Sequence, residues 1–208
     1  MNINLTMLTD FYEFTMSNGF FEEGMKDKIA YFDVFFRENP DNGGFAIMAG
    51  VEQVIDYLSD LHFSGEDIEY LRSKGIFSEE YLNYLADFKF ECDVWAIPEG
   101  TPIFPGEPVI TVRGPVVQAQ LVETMLLLII NHQSLIATKA NRIVRAADGR
   151  PVMEFGSRRA QGSEAAILGA RAAYIGGCVG TACTVTDELY GVPALGTMAH
   201  SGVQMFDT

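Results

Sequence analysis

"PVMEFGSRRAQGSEAAILGARAAYIGG" (residues 151–177) decides the fold. A short apolar run, a polar small-residue loop and an Ala-rich helix with Ser163 as its expected cap follow one another within 27 residues. The same rhythm then repeats in shorter form: "GGCVG" leads into "TACT", the helix "VTDELYG", the run "VPAL" and the loop "GTMAHSG". Alternation of this kind predicts parallel βα units. In such sheets the loops leaving the carboxyl ends of the strands form the working rim. The loops carrying Arg158 and Arg159, Thr181, and His200 are therefore expected to gather at one face.

Upstream, "VVQAQLVETMLLLIINHQSLIATKANRIVRAADG" (116–149) contains no Pro or Gly before Gly149 and predicts one long helix or two joined, ended by Asp148-Gly149. Basic residues crowd its last turns, where they complement the helix dipole. From Cys92 to Pro115 short strands are broken by "PEG", "FPGEP" and "RGP". "LTDFYEFTMSNG" predicts a helix with Thr9 or Asp10 as N-cap, Gly19 as stop and Tyr12 in its first turns. "IAYFDVFF" and "GFAIMAG" read as strands flanking the turn-rich "RENPDNG", and the acidic segments to about Asp87 read as helices with solvated faces. His62 and His132 fall in helical segments, as surface or packed side chains.

The chain has 208 residues and a formal charge of −14, which argues against a nucleic-acid partner because phosphate backbones demand an excess of cations. The charge is uneven. Residues 1–93 carry 19 Asp/Glu against 6 Lys/Arg, whereas 114–208 carry 7 of each. Lys139, Arg142, Arg145, Arg150, Arg158 and Arg159 fall within 21 residues, so an anion, if one binds, belongs there. Two adjacent arginines beside small residues suit a phosphate or pyrophosphate, or else are solvated or tied to an acidic neighbour. His200 can serve as acid, base or nucleophile, or as a structural side chain. Cys92, Cys178 and Cys183 form no CxxC pair, which predicts reduced thiols in a cytoplasmic protein, Cys178 and Cys183 being small buried residues, and no bound zinc. The N-terminus shows no signal-peptide pattern, and the longest apolar run, "MLLLII", is far short of a membrane span.

Six blocks in register, "LTDFYEFTM", "FRENPDNGGFAI", "IPEGTPIFPGEPVI", "ATKANRIVRAA", "EFGSRRAQG" and "GVPALGTMAHS", resemble those of the nicotinate phosphoribosyltransferase family. The resemblance implies an α/β fold of type II phosphoribosyltransferase architecture: an N-terminal α+β domain with a small β module (1–115), then the first part of an irregular α/β barrel (116–208). It implies a homodimer with shared active sites, and transfer of phosphoribosyl from phosphoribosyl pyrophosphate to nicotinate, coupled to ATP.

By the same resemblance Phe155 and the Tyr12 of a second subunit sandwich the pyridine ring, and Arg158 contacts the 5′-phosphate or pyrophosphate with Arg159 beside it. His200 is the histidine phosphorylated by ATP, and Ser201 beside it is a substrate-binding residue. Thr181 lies near the pyridine substituent. Nicotinamide-using relatives carry an acid beside that threonine, where this chain has Ala182, so the resemblance favours nicotinate. Arg37 is family-like, with no firm contact implied. Gly202 stands where the family has an aromatic residue. Most Mg²⁺ ligands are expected beyond residue 208, so the chain alone is expected to be inactive, or to be a non-catalytic unit that assembles with a second chain.

Overall fold

The structure is a computed structural model that describes residues 4–206. Helix α1 (Phe11–Glu22) starts at Asp10 and runs through Gly19. The stop lies at Gly24, whose φ of 66° is a left-handed conformation that glycine adopts without strain. There Met25 N–H reaches Phe20 O (2.8 Å) and Gly24 N–H reaches Phe21 O (3.0 Å), the paired bonds of a Schellman ending. Gly19 was the wrong glycine because nothing around it reverses the backbone.

Strand β1 (Ile29–Val34) and the short β2 (Ala46–Ile47) flank the Pro-Asp-Asn turn, but they do not pair with each other. Helices α2 (Val51–Ser59), α3 (Gly65–Arg72) and α4 (Glu79–Ala86) follow. Ser64 and Asp67 form a reciprocal capping box that starts α3. This places His62 in the connection before α3 rather than within a helix, because α2 has already ended at Ser59.

Strands β3 (Asp93–Ala96), β4 (Pro102–Ile103) and β5 (Ile110–Pro115) complete the antiparallel part. β5 is the centre of a three-stranded sheet, with β1 and β3 on either side, while β2 pairs with β4. "RGP" closes β5 rather than breaking it: Pro115, which has no N–H to donate, lies at its last register position opposite Ile29.

The long apolar segment is two helices, α5 (Val116–Gln120) and α6 (Glu123–Ala146), parted at Leu121–Val122. Asp148 and Gly149, both at positive φ, end the second as expected. Taken together, Val116–Ala146 is long and apolar enough to cross a membrane, yet 56% of its most apolar window is buried, as in a core helix. Its first half packs Met125, Leu126, Ile129 and Ile130 into the main core with Phe14, Met48, Tyr81, Leu82, Leu85 and Val112. Its second half supplies Ala137 and Ala140 to two small clusters that hold Ala172 and Ala173 of α7 (Ser163–Ile175). α6 therefore belongs to both packings.

Small residues set how closely α6 and α7 approach. A methyl group on Gly176 would overlap the Ala137 carbonyl and lie 2.8 Å from the Ala140 Cβ. Gly176→Ala is expected to destabilise by about 1–3 kcal/mol through overpacking. Urea unfolding measures it, and an unchanged midpoint would disprove the close contact.

Beyond α6, β6 (Met153–Glu154) pairs in parallel with β7 (Gly180–Thr181), and a parallel bridge joins Thr181 to Ala194. α7 makes the crossover, followed by α8 (Thr184–Tyr190) and α9 (His200–Gln204). Gly162 takes the cap position of α7, with φ 117° and ψ 164°, and Ser163 becomes the first helical residue, without a capping bond. That backbone geometry is open to glycine alone, which displaces the better hydrogen-bonding cap by one position.

Candidate functional site

The parallel order β6, β7, Ala194 sends three loops from one edge: residues 155–162, 182–183 and 195–199. Arg158 and Arg159 lie in the first of these loops, but Thr181 is the last residue of β7 rather than a loop residue, and His200 opens α9 after the third loop. Phe155 leaves β6 with its side chain exposed, and Ser157–Arg159 form a single 3-10 turn.

Of the six cations between 139 and 159, four are occupied. Lys139 and Arg142 both reach Asp41 (2.7 and 3.0 Å), with Arg142 also donating to Pro40 O (2.5 Å). Arg142 fills the space where a Gly43 side chain would stand, so these two residues clamp the Pro40–Asn42 turn onto α6. Arg145 lies over the Phe45 ring at 5.5 Å, and Arg150 donates to Ala147 O. Arg158 and Arg159 are exposed and form no ion pair or side-chain hydrogen bond among the described residues. They are not a rim tie to an acid. Arg37, three residues past β1, is likewise exposed and lines a shallow concavity with Leu127 and Leu128.

Glu154, which the sequence reading passed over, holds the two leading loops together. One carboxylate oxygen accepts from Gly156 N–H, and the other accepts the Thr181 hydroxyl at 2.5 Å. Its carbonyl accepts from Ala182 N–H at 2.9 Å. Thr181 is fully buried and also accepts from Cys183 N–H at 2.9 Å, so its hydroxyl is committed within the protein. Ala182 is exposed. A polar residue ending an apolar strand was the available signal for Glu154.

Cys178 is buried, and burial pushes its thiol up. Cys183 is only half-buried, contrary to expectation, because it stands at the rim as the residue before α8. Burial raises its thiol, but hydrogen bonds from Thr186 outweigh this and the net direction is down. His200 opens α9 with an exposed imidazole, and Ser201 beside it is exposed too.

Tyr12 lies on α1, which packs on α5 and α4. Its ring makes no aromatic pair with Phe155 within the chain. Partial burial and the Glu123 carboxylate hold its phenol above the ordinary tyrosine value.

Behind the rim, Arg171 of α7 is buried between acids. Its two terminal nitrogens meet the Glu99 carboxylate at 3.0 and 2.7 Å, one of them also pairs with Glu52, and its plane lies 5.5 Å from the Tyr190 ring. Glu99 in turn accepts from Gly50 N–H (2.6 Å) and Val51 N–H (3.0 Å), covering the start of α2. Burial alone would raise the Glu99 carboxyl, yet Arg171 and these amides hold it below its ordinary value.

The fold is mixed α/β, and the edge where its parallel strands end presents two arginines without ion pairs among the described residues, an exposed aromatic and, further on, an exposed histidine. The family model for the N-terminal domain of nicotinate phosphoribosyltransferase matches residues 7–131, and the chain belongs to that family. Over 202 residues it is 46% identical to nicotinate phosphoribosyltransferase pncB2 of Mycobacterium tuberculosis, covering 97% of this chain and 43% of the relative. Over 203 residues it is 39% identical to the nicotinate phosphoribosyltransferase of Bacillus subtilis, covering 98% of this chain and 41% of the relative. The crystal structure of human nicotinic acid phosphoribosyltransferase superposes with a TM-score of 0.88 at 35% identity, over 95% of this chain and 40% of that one. The chain thus spans about two-fifths of the length of the relatives it matches.

Proposed function

We propose that this chain supplies the nicotinate and phosphate rim of a cytoplasmic nicotinate phosphoribosyltransferase, in which the pyridine nitrogen displaces pyrophosphate from phosphoribosyl pyrophosphate to give nicotinate mononucleotide. The observation that carries the reading is the pair of unoccupied arginines, Arg158 and Arg159, one turn after the exposed Phe155 at a parallel-sheet edge.

In this reading Arg158 holds the phosphate or pyrophosphate and stabilises charge as the glycosidic bond to pyrophosphate breaks, with Arg159 as second donor. Phe155 and Tyr12 of a second copy stack on the ring, in keeping with the lack of a Tyr12–Phe155 pair within one chain. Thr181 acts indirectly: its hydroxyl is spent on Glu154, so it shapes the loop that brings Ala182, a neutral residue, to the ring substituent. An exposed His200 is accessible to ATP as co-substrate, its imidazole nitrogen taking the γ-phosphoryl group as ADP leaves and its ring proton passes to solvent. Ser201 lies next to it. Phosphorylation there adds negative charge to the same rim and ties nucleotide hydrolysis to substrate binding. In this reading Mg²⁺ arrives with the phosphates of the substrates, and no step is assigned to it.

Exposed Met198, Val203, Met205 and Phe206 favour a second reading, in which the chain is a non-catalytic unit until another polypeptide covers that segment. Incubating the chain, with and without a fragment supplying the remainder of a family barrel, with nicotinate, phosphoribosyl pyrophosphate, Mg²⁺ and ATP tests the first reading. The first reading expects nicotinate mononucleotide in the mixture and one phosphate on His200 by mass spectrometry, the phosphate and the ATP stimulation both vanishing in His200→Ala. Equal product from His200→Ala with ATP, or no product from any mixture, overturns it.

A further inference from the structure

Glu13 follows Tyr12 on α1 and is the only carboxylate among the described residues whose side chain belongs to a fully buried residue. Buried acids are rare because the charged form loses its water. One oxygen of Glu13 accepts from Thr124 N–H at 3.2 Å and from the Thr124 hydroxyl, at the first turn of α6. The other oxygen is buried with no hydrogen-bond partner. The same threonine hydroxyl accepts Asp10 N–H at 3.1 Å, so the start of α1 and Glu13 are anchored on one residue of α6.

The surroundings are acidic. Asp10, the N-cap of α1, and Glu123, the first residue of α6, both bear on Glu13. Tyr57 of α2, whose hydroxyl is also buried without a partner, feels the Glu13 charge, as does Tyr12. A negative charge on Glu13 is therefore desolvated, half-paired and repelled from two sides, while a neutral carboxyl escapes the repulsion and most of the desolvation cost. Burial first, then the neighbouring acids, outweigh the Thr124 hydrogen bonds and push the carboxyl up to about 7.

We propose that Glu13 is a positioning residue whose protonation state sets the placement of Tyr12, by seating or straining the α1–α6 contact at Thr124. This rests on the reading of Tyr12 as a ring-stacking residue for a neighbouring copy, but the placement itself can be measured without substrate. The sign follows from linkage. Between the ordinary carboxylate range and about pH 7 the folded chain holds a proton that the unfolded chain has released, so stability falls as pH rises through that window.

The test is NMR of the whole chain with ¹³C-labelled glutamate and tyrosine, titrated from pH 5 to 9, with Tyr12 assigned through Tyr12→Phe. The expected result is a Glu13 carboxyl transition near neutrality and a Tyr12 ring shift with the same midpoint. Glu13→Gln, neutral and nearly isosteric, should freeze Tyr12 at its low-pH position and abolish the fall in stability. Thr124→Val, which removes the hydroxyl donor and keeps the amide, should raise the midpoint. A Tyr12 signal that stays flat while Glu13 titrates, or one that shifts equally in Glu13→Gln, overturns the proposal. Because no substrate is present, either outcome stands apart from the success or failure of the transferase assay.

Discussion

Arg171→Ala is expected to cost up to about 3 kcal/mol of stability, because it leaves the half-buried Glu99 carboxylate without its cation. In a chain of this size that is roughly 10 °C in Tm. The loss reaches beyond one pair. Glu99 also covers the first amides of α2, and Gly50 sits there at φ 107°, so a displaced Glu99 uncovers a helix start. Arg171→Lys is expected to recover little, since a single ammonium cannot span both Glu99 oxygens as the guanidinium does. Arg171→Met with Glu99→Gln should lose less than the two single changes summed, because neither charge is then left alone. Urea denaturation of these five variants, the two single changes Arg171→Met and Glu99→Gln included, checks this. Strict additivity, or a cost under about 1 kcal/mol for Arg171→Ala, would place the pair among weak surface bridges instead.

Arg158→Ala has the opposite profile. Arg158 is exposed and unpaired, so its removal should change stability by less than about 0.5 kcal/mol. Its effect falls on anion binding: losing a charge-assisted hydrogen bond worth about 1.5–3 kcal/mol weakens pyrophosphate affinity roughly 10- to 150-fold. Calorimetric titration of pyrophosphate into the chain measures it, with the same factor expected in kcat/KM for phosphoribosyl pyrophosphate once a complete barrel is assembled. An unchanged affinity would return both arginines to the role of solvated surface residues.

These two arginines also show what the sequence makes legible. Arg158 sits in a loop whose glycine, serine and alanine neighbours and preceding apolar run announce a strand end, so its place at the rim follows from local pattern. Arg171 lies mid-helix in "LGARAAYIG", where a lone arginine reads as a solvated face. Its partners are 72 and 119 residues away, and no local spacing points to them. Glu13 is hidden for the same reason, since the burial that alters its chemistry comes from α6, 111 residues downstream.

Local chemistry also erred where two residues competed for one role. Gly19 and Gly24 both suit a helix end, and the reversal at Gly24 decides between them. Ser163 is the better hydrogen-bonding cap, but the backbone at position 162 admits only glycine. The parallel βα order survived these slips, because it depends on the alternation of runs rather than on any single boundary.

The two halves of α6 lie in different packings, the first with Leu126 and Ile130, the second with Ala137 and Ala140. Between them Gln133, Ser134 and Thr138 are buried and bonded to Gln53, Ala49 and Ile47. Because one helix serves both packings, the antiparallel region and the βα region are expected to melt together. A cut between them at the Asp148-Gly149 turn would leave two pieces that each need the same helix as their floor.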